Sequence, residues 1–221
     1  MTLTRNIVEM GINSFSEWDL LNKCLYDLCL NHPKHTNPKI ILAKTAMIGR
    51  TYSATIERRK KVKVVQNEDF FIVRVLPVFK SMKLDPLIAR LKELDSINLS
   101  NIRDVLSLHK LLVDNLFVIT GLRKRSFVSK YLHFHLPNLY IMFDSICEKA
   151  ARTLHKDMFG GTFQYNTSPE NEDPIYGKYI RSCMKIIDRI KLDQNIDFYK
   201  LDCGLRKFDK FMQYYGQNYP K

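Results

Sequence analysis

The stretch Gly121–Leu154, GLRKRSFVSKYLHFHLPNLYIMFDSICEKAARTL, joins a basic helix start to an acidic helix start through a proline turn, and the rest of the chain is read outward from it. From Arg123 to His135 the phase is helical: Phe127, Lys130, Tyr131 and Phe134 recur at spacings of three and four, with Val128 and Leu132 beside them. Leu136-Pro137 ends that helix, because the residue before a proline is pushed out of the α region and the proline has no N–H to donate. A second helix starts just after Phe143. Ser145 with Glu148 forms a capping-box pair and Asp144 competes as N-cap; either assignment sets the Asp144 carboxylate beside free backbone N–H groups. That position suits a plain helix cap as well as a chemical role.

Upstream, Ile102 to Ile119, IRDVLSLHKLLVDNLFVI, is a further amphipathic helix. The order is therefore helix, glycine turn with Arg123, Lys124 and Arg125, helix. Such a turn between packed helices can present backbone N–H groups to a phosphate while the three cations add field and hydrogen bonds. Lys130 is a second chemical candidate on composition and phase. An amine held among Phe127, Tyr131 and Phe134 loses hydration that favours its charge, which suits a base or nucleophile; the plainer alternative lays its stem over the aromatics with the charge at solvent or phosphate.

These residues resemble the helix-hairpin-helix family of DNA glycosylases and glycosylase/lyases. Gly121 and Leu122 match the start of its Gly-hydrophobic-Gly hairpin, Arg123 replaces the second glycine, and Asp144 occupies the position of the family's essential aspartate. The family's lysine nucleophile, where present, falls on Lys124 or Arg125, and an arginine there leaves lyase activity open. Pro38 to Arg59, PKIILAKTAMIGRTYSATIERR, looks like the early helix and turn that face DNA and help hold the extruded base. Leu205 to Gly216, LRKFDKFMQYYG, is similar to a closing helix that returns to the N-terminal segment. The run ITGLRKRSFVSKYLHFHLP looks like a bacterial branch that includes anti-phage enzymes acting on hypermodified cytosine. The resemblance implies a mainly α, two-lobed fold and excision of a modified or damaged base from double-stranded DNA by N-glycosidic bond cleavage. Oxidised purine, as in 8-oxoguanine repair, is the competing substrate, and a non-catalytic basic DNA-binding protein the alternative of a different class.

The wider composition agrees with a polyanion partner. Thirty-five Lys plus Arg stand against 23 Asp plus Glu, a formal charge of +12 that favours encounter with nucleic acid. The same charge suits an anionic membrane surface, although no uncharged apolar run is long enough to span a bilayer and no signal-peptide pattern opens the chain. Cys24, Cys29, Cys147, Cys183 and Cys203 lack the close pairs of a zinc site and the cluster of the family's iron–sulfur branches. Neither His32 with His35 nor His133 with His135 has helical ligand spacing. The expectation is a cytoplasmic monomer of one domain over residues 1–221, two tightly packed helical lobes with the hairpin and catalytic centre in 102–154, using no cofactor, metal or iron–sulfur cluster.

Elsewhere, Ser14 to Leu30 reads as the first helix, capped by Ser14 with Glu17 or Ser16 with Asp19, and Trp18 reads as buried packing in preference to a base-stacking platform. A helix from Lys39 to about Ile48 ends at a Gly49 turn. Beyond it, Arg50, Tyr52, Arg58 and Arg59 cluster cations and an aromatic; Tyr52 suits a base-pocket wall or a core aromatic, and Arg50 a phosphate or the extruded nucleotide. The Val-Lys-Val-Val end of Glu57 to Val65, and Phe70 to Val78, are β-prone, leaving room for a small β ribbon. Leu84 to Leu94, Tyr176 to Ile190 and Cys203 to Tyr215 read as helices, and Phe159 to Pro174 as a loop.

Overall fold

The computed structural model describes residues 3–14, 16–63, 68–164 and 170–219. Among these the chain forms ten α-helices and no strand: α1 (Arg5–Ile12), α2 (Asp19–Asn31), α3 (Pro38–Thr51), α4 (Leu76–Ser81), α5 (Leu84–Lys92), α6 (Ile102–Thr120), α7 (Arg125–His135), α8 (Ser145–Phe159), α9 (Pro174–Gln194) and α10 (Gly204–Asn218). A π-helical turn, Phe71–Val75, leads directly into α4.

The mainly helical expectation holds, and the β ribbon is corrected. Phe70 and Val75 are the buried residues of the β-prone run, and Phe79 and Met82 are the next buried residues after it. Their spacings of five, four and three are helical once one extra residue is absorbed by the π turn, which brings Phe70 and Val75 onto the same face. Pro77 is the second residue of α4, immediately after the π turn, within a segment that is helical on both sides of it. The other half of the expected ribbon falls partly on residues 64–67, outside the described residues.

Two further expectations shift. The helix from Pro38 runs through Gly49 to Thr51, and Gly49 serves close approach instead of a turn, since a Cβ there would stand 3.0 Å from the Thr55 side chain. Ahead of α2 lies α1, which the sequence reading did not separate; α2 itself begins only at Asp19, and Ser16 Oγ accepts from the Trp18 N–H at 3.3 Å instead of capping the helix.

The helices pack in two sets. In one, α10 lies on α1 and α8, and α8 on α9; in the other, α7 contacts α2, α3 and α6. Every residue of α7 from Phe127 to His135 is buried, so this helix is surrounded by protein and its polar side chains must find partners inside. His133 does so through the Tyr140 carbonyl, 2.7 Å from Nδ1, and Ser129 Oγ accepts from the Phe143 N–H at 2.9 Å. The second bond ties the chain leaving α7 back to it just before α8, and so places Asp144.

The α6–α7 hairpin turns as the sequence predicts. Gly121 closes α6 at φ +66°, a left-handed conformation, and its N–H donates to the Phe117 carbonyl at 2.7 Å. A Cβ there would also stand 3.1 Å from Lys61 Cβ, so the glycine lets the basic segment after Arg59 lie across the hairpin, where the Lys61 N–H donates to the Thr120 carbonyl.

Candidate active site and nucleic-acid groove

Asp144 settles the cap competition. Its backbone is extended, and Oδ1 accepts from the N–H groups of Ile146 (3.0 Å) and Cys147 (2.9 Å), so Asp144 rather than Ser145 caps α8. The cap engages only one carboxylate oxygen. Oδ2 takes the amide of Gln213 from α10 at 2.6 Å and faces Lys130 Nζ at 3.5 Å. A carboxylate used purely as a cap needs neither.

Burial alone would raise the Asp144 pKa. The Lys130 charge, the Cys147 N–H and the Gln213 amide together outweigh it and hold the group below the ordinary aspartate value. The side chain nevertheless keeps 24 % of its surface open to a cavity of about 550 Å³, so it is ionised and reachable.

Lys130 meets neither sequence alternative in full. Its side chain is 1 % exposed, so the charge does not reach solvent, and Nζ donates to the Phe143 carbonyl at 2.8 Å and to Ser126 Oγ at 3.1 Å besides facing Asp144. Its place is behind Asp144, with the ammonium also 5.4 Å from the centre of the Tyr52 ring.

The cavity lies between the two packing sets. The approach to α2 contributes Ser14, Ser16 and Trp18, the end of α3 contributes Thr51, Tyr52 and Ser53, and α10 contributes Arg206, Asp209, Lys210 and Gln213. Trp18, expected to be buried, is 44 % exposed and lines this cavity. The reason is local: α2 begins one residue later, so Trp18 is on its leading edge instead of its core face.

A second carboxylate, Asp209, stands in the wall. Burial and the neighbouring Asp144 charge push its pKa up, against the pull of Arg206, with which it is ion-paired. Arg206 also reaches Asp19 at 3.9 Å, and Lys210 joins the same Asp19 at 2.8 Å, so α10 is pinned to the start of α2. At the crossing of α10 with α8, Gly216 leaves no room for a side chain: a Cβ would meet Ile146 Cγ2 at 2.7 Å. That close approach is what brings Gln213 to Asp144.

Arg206, Asp209 and Gln213 were missed in sequence. A signal was present: Arg206, Asp209, Lys210, Gln213 and Gln217 recur every three or four residues and form a polar stripe beside the apolar face of α10.

Beyond Ser53, which lines both, a groove of about 600 Å³ is bordered by Arg58, Arg59, Lys61, Arg123, Lys124 and Arg125. Ser53 and Arg59 both hold left-handed backbone, at φ 50° and 59°. The six cations are not equivalent. Arg125 pairs with the buried Asp173 at 2.7 Å and Arg123 with Asp114 at 2.6 Å, and Lys124 donates to the Arg58 carbonyl at 2.6 Å, bracing the segment before it. Arg58, Arg59 and Lys61 are exposed and form no ion pair among the described residues.

Of the expected site residues, the structure brings Asp144, Lys130 and Tyr52 together and groups Arg58 with Arg123, Lys124 and Arg125 at the groove, while Gly121 closes α6 outside the groove lining. Lys124 and Arg125 border the groove and not the Asp144 cavity, so the lysine beside Asp144 is Lys130. Arg50 is exposed on α3 and lies outside both linings.

No protein-family model, no curated protein and no solved structure matches this chain.

Proposed function

We propose that this protein is a DNA glycosylase that turns a modified nucleotide out of double-stranded DNA and hydrolyses its N-glycosidic bond. The observation that carries the reading is the junction at Ser53, where a cationic groove meets a cavity holding an ionised aspartate. A backbone held by Arg58, Arg59 and Lys61 leaves one nucleotide at Ser53, and rotating it about its phosphodiester carries the base into the cavity. The αL glycine of the α6–α7 hairpin and the two packing sets are further support for the two-lobed helix-hairpin-helix arrangement that the resemblance implies.

In this reading Asp144 supplies negative charge as C1′ of the deoxyribose becomes cationic, and its fixed orientation means that little reorganisation is needed when that charge develops. Water adds its oxygen to C1′, and the base leaves with the bonding pair and takes a proton. Lys130 offers no free amine for a Schiff base: its ammonium is spent on the Phe143 carbonyl, Ser126 Oγ and Asp144. We therefore assign direct hydrolysis without a covalent enzyme intermediate, and Lys130 the task of keeping Asp144 charged. The hydroxyl and amide groups of Ser14, Ser16, Thr51, Gln213 and Gln217 suit a base with polar substituents, a description that fits hypermodified cytosine and oxidised purine alike.

The test is a panel of duplexes carrying oxidised purine, uracil, alkylated base or glucosylated hydroxymethylcytosine, followed by alkali. Base loss on at least one duplex, sharply reduced in Asp144→Asn, and no adduct on borohydride treatment are expected. Full activity in Asp144→Asn would remove the aspartate from the chemistry. Salt-sensitive binding with no base release on any duplex would select the second reading, a DNA-binding protein without chemistry, which the basic groove supports by itself.

A further inference from the structure

We propose that Trp18 is the aromatic platform against which the extruded base stacks, a role that rests on the base-excision reading above. Three aromatic side chains line the Asp144 cavity: Trp18, Tyr52 and Tyr214. Two are already committed. The Tyr52 ring has Lys130 Nζ 5.4 Å and the Arg206 guanidinium 6.0 Å from its centre and packs on Phe134 at 5.9 Å, while its hydroxyl donates to Asn22 Oδ1 at 2.7 Å. Tyr214 packs edge-on against Tyr219, with ring centres 6.3 Å apart. Trp18 alone of the three has no ring or cation stacked on it among the described residues, and it is 44 % exposed.

An exposed tryptophan elsewhere on a surface would carry no meaning. Here the backbone that bears it is held in place. The Trp18 N–H donates to Ser16 Oγ, and the next residue, Asp19, is clamped by Lys210 at 2.8 Å and approached by Arg206 at 3.9 Å. Both cations belong to α10, the helix whose Gln213 touches Asp144 at 2.6 Å. Platform and carboxylate are thus referenced to one rigid element, so a base resting on the indole has its sugar held at a set distance from Asp144. The ligand this surface fits is a planar aromatic ring, since an indole face recognises π surface and not a particular hydrogen-bonding edge. Trp18 then binds the base in common to all substrates, and the polar side chains around it discriminate.

Trp18 is the only tryptophan in the chain, so its emission reports on this cavity alone. The experiment uses the full chain and the duplex from which the wild-type protein releases a base. Trp18→Ala should lower single-turnover base release about tenfold or more, as expected for a lost base–aromatic stack, while its affinity for the duplex carrying a stable abasic analogue stays within about twofold of wild type; Trp18→Phe should recover most of the rate. In the wild-type protein, emission should be quenched by that duplex and left unchanged by the same duplex carrying a stable abasic analogue at the target position. Wild-type rates in Trp18→Ala, or equal quenching by both duplexes, would overturn the platform role and leave the proposed activity standing. If the wild-type protein releases no base from any duplex, the activity and the platform role fall together.

Discussion

Replacing Asp144 with asparagine should cost stability as well as activity, by an amount the geometry bounds. Asparagine caps a helix nearly as well as aspartate, so the N–H groups of Ile146 and Cys147 stay satisfied and the change removes mainly charge. What it leaves behind is the Lys130 ammonium, 1 % exposed, with two neutral acceptors and no carboxylate within ion-pair distance among the described residues. At the 3.5 Å separation, Coulomb attraction is roughly 1 kcal/mol in a water-like dielectric and roughly 5 kcal/mol at the effective dielectric of a protein interior. One side of the carboxylate is open to the cavity, which places the coupling between these limits, at about 2 kcal/mol. Urea unfolding of wild type, Asp144→Asn, Lys130→Met and the double variant measures it as a cycle. The double variant, having lost both charges, should be more stable than the two single losses sum to by about 2 kcal/mol. Additivity within about 0.5 kcal/mol would refute the claim that Lys130 and Asp144 are an energetic pair.

Acid should unfold the protein early. Burial lowers the pKa values of His109 and His133 to about 3, so between that value and the unfolded value near 6.5 the unfolded chain binds protons that the native chain refuses. Their contribution is complete above pH 7 and falls with pH, by roughly 2 kcal/mol per histidine at pH 5; an unchanged urea midpoint between pH 7.5 and 5 would contradict it. At the groove, substituting glutamine for Arg58, Arg59 or Lys61 should each reduce the salt slope of duplex binding by about 0.9, whereas Arg125→Gln should leave the slope nearly intact and destabilise the fold by about 3 kcal/mol, because it strands buried Asp173. Equal slope changes in all four would mean that the hairpin's ion pairs open on binding. Gly121→Ala, forced to φ +66° against Lys61, should lower stability by about 1–2 kcal/mol in a thermal or urea melt; an unaffected melt would show that the turn adjusts freely.

The helical fold was legible wherever a periodic run carried its own boundary. Gly121 closed α6, Pro137 closed α7 and Asp144 opened α8, each through backbone chemistry that acts within a few residues. The Phe70–Val78 run was misread because β-branched residues raise strand propensity and because the π turn breaks the helical period by one residue. Nothing local says that a run of this kind will find helices instead of a partner strand.

Half of the candidate site was legible for the same reason. Asp144 announces itself as a cap, and Lys130 stands out as a cation in an apolar stripe, so the pair at the centre could be marked from one stretch of sequence. Its surroundings could not. Gln213 meets Asp144 across 69 residues of chain, and Trp18 is oriented through an ion pair between Asp19 and Lys210 that spans 191. Those contacts exist because α10 returns to the beginning of the chain and crosses α8 at Gly216, a crossing that depends on the whole of the packing between. The cavity is therefore a property of that closure. Substituting Ala for Gly216, which would push α10 away from Ile146, should disturb the Gln213–Asp144 contact and the Trp18 mounting together, although it touches neither residue.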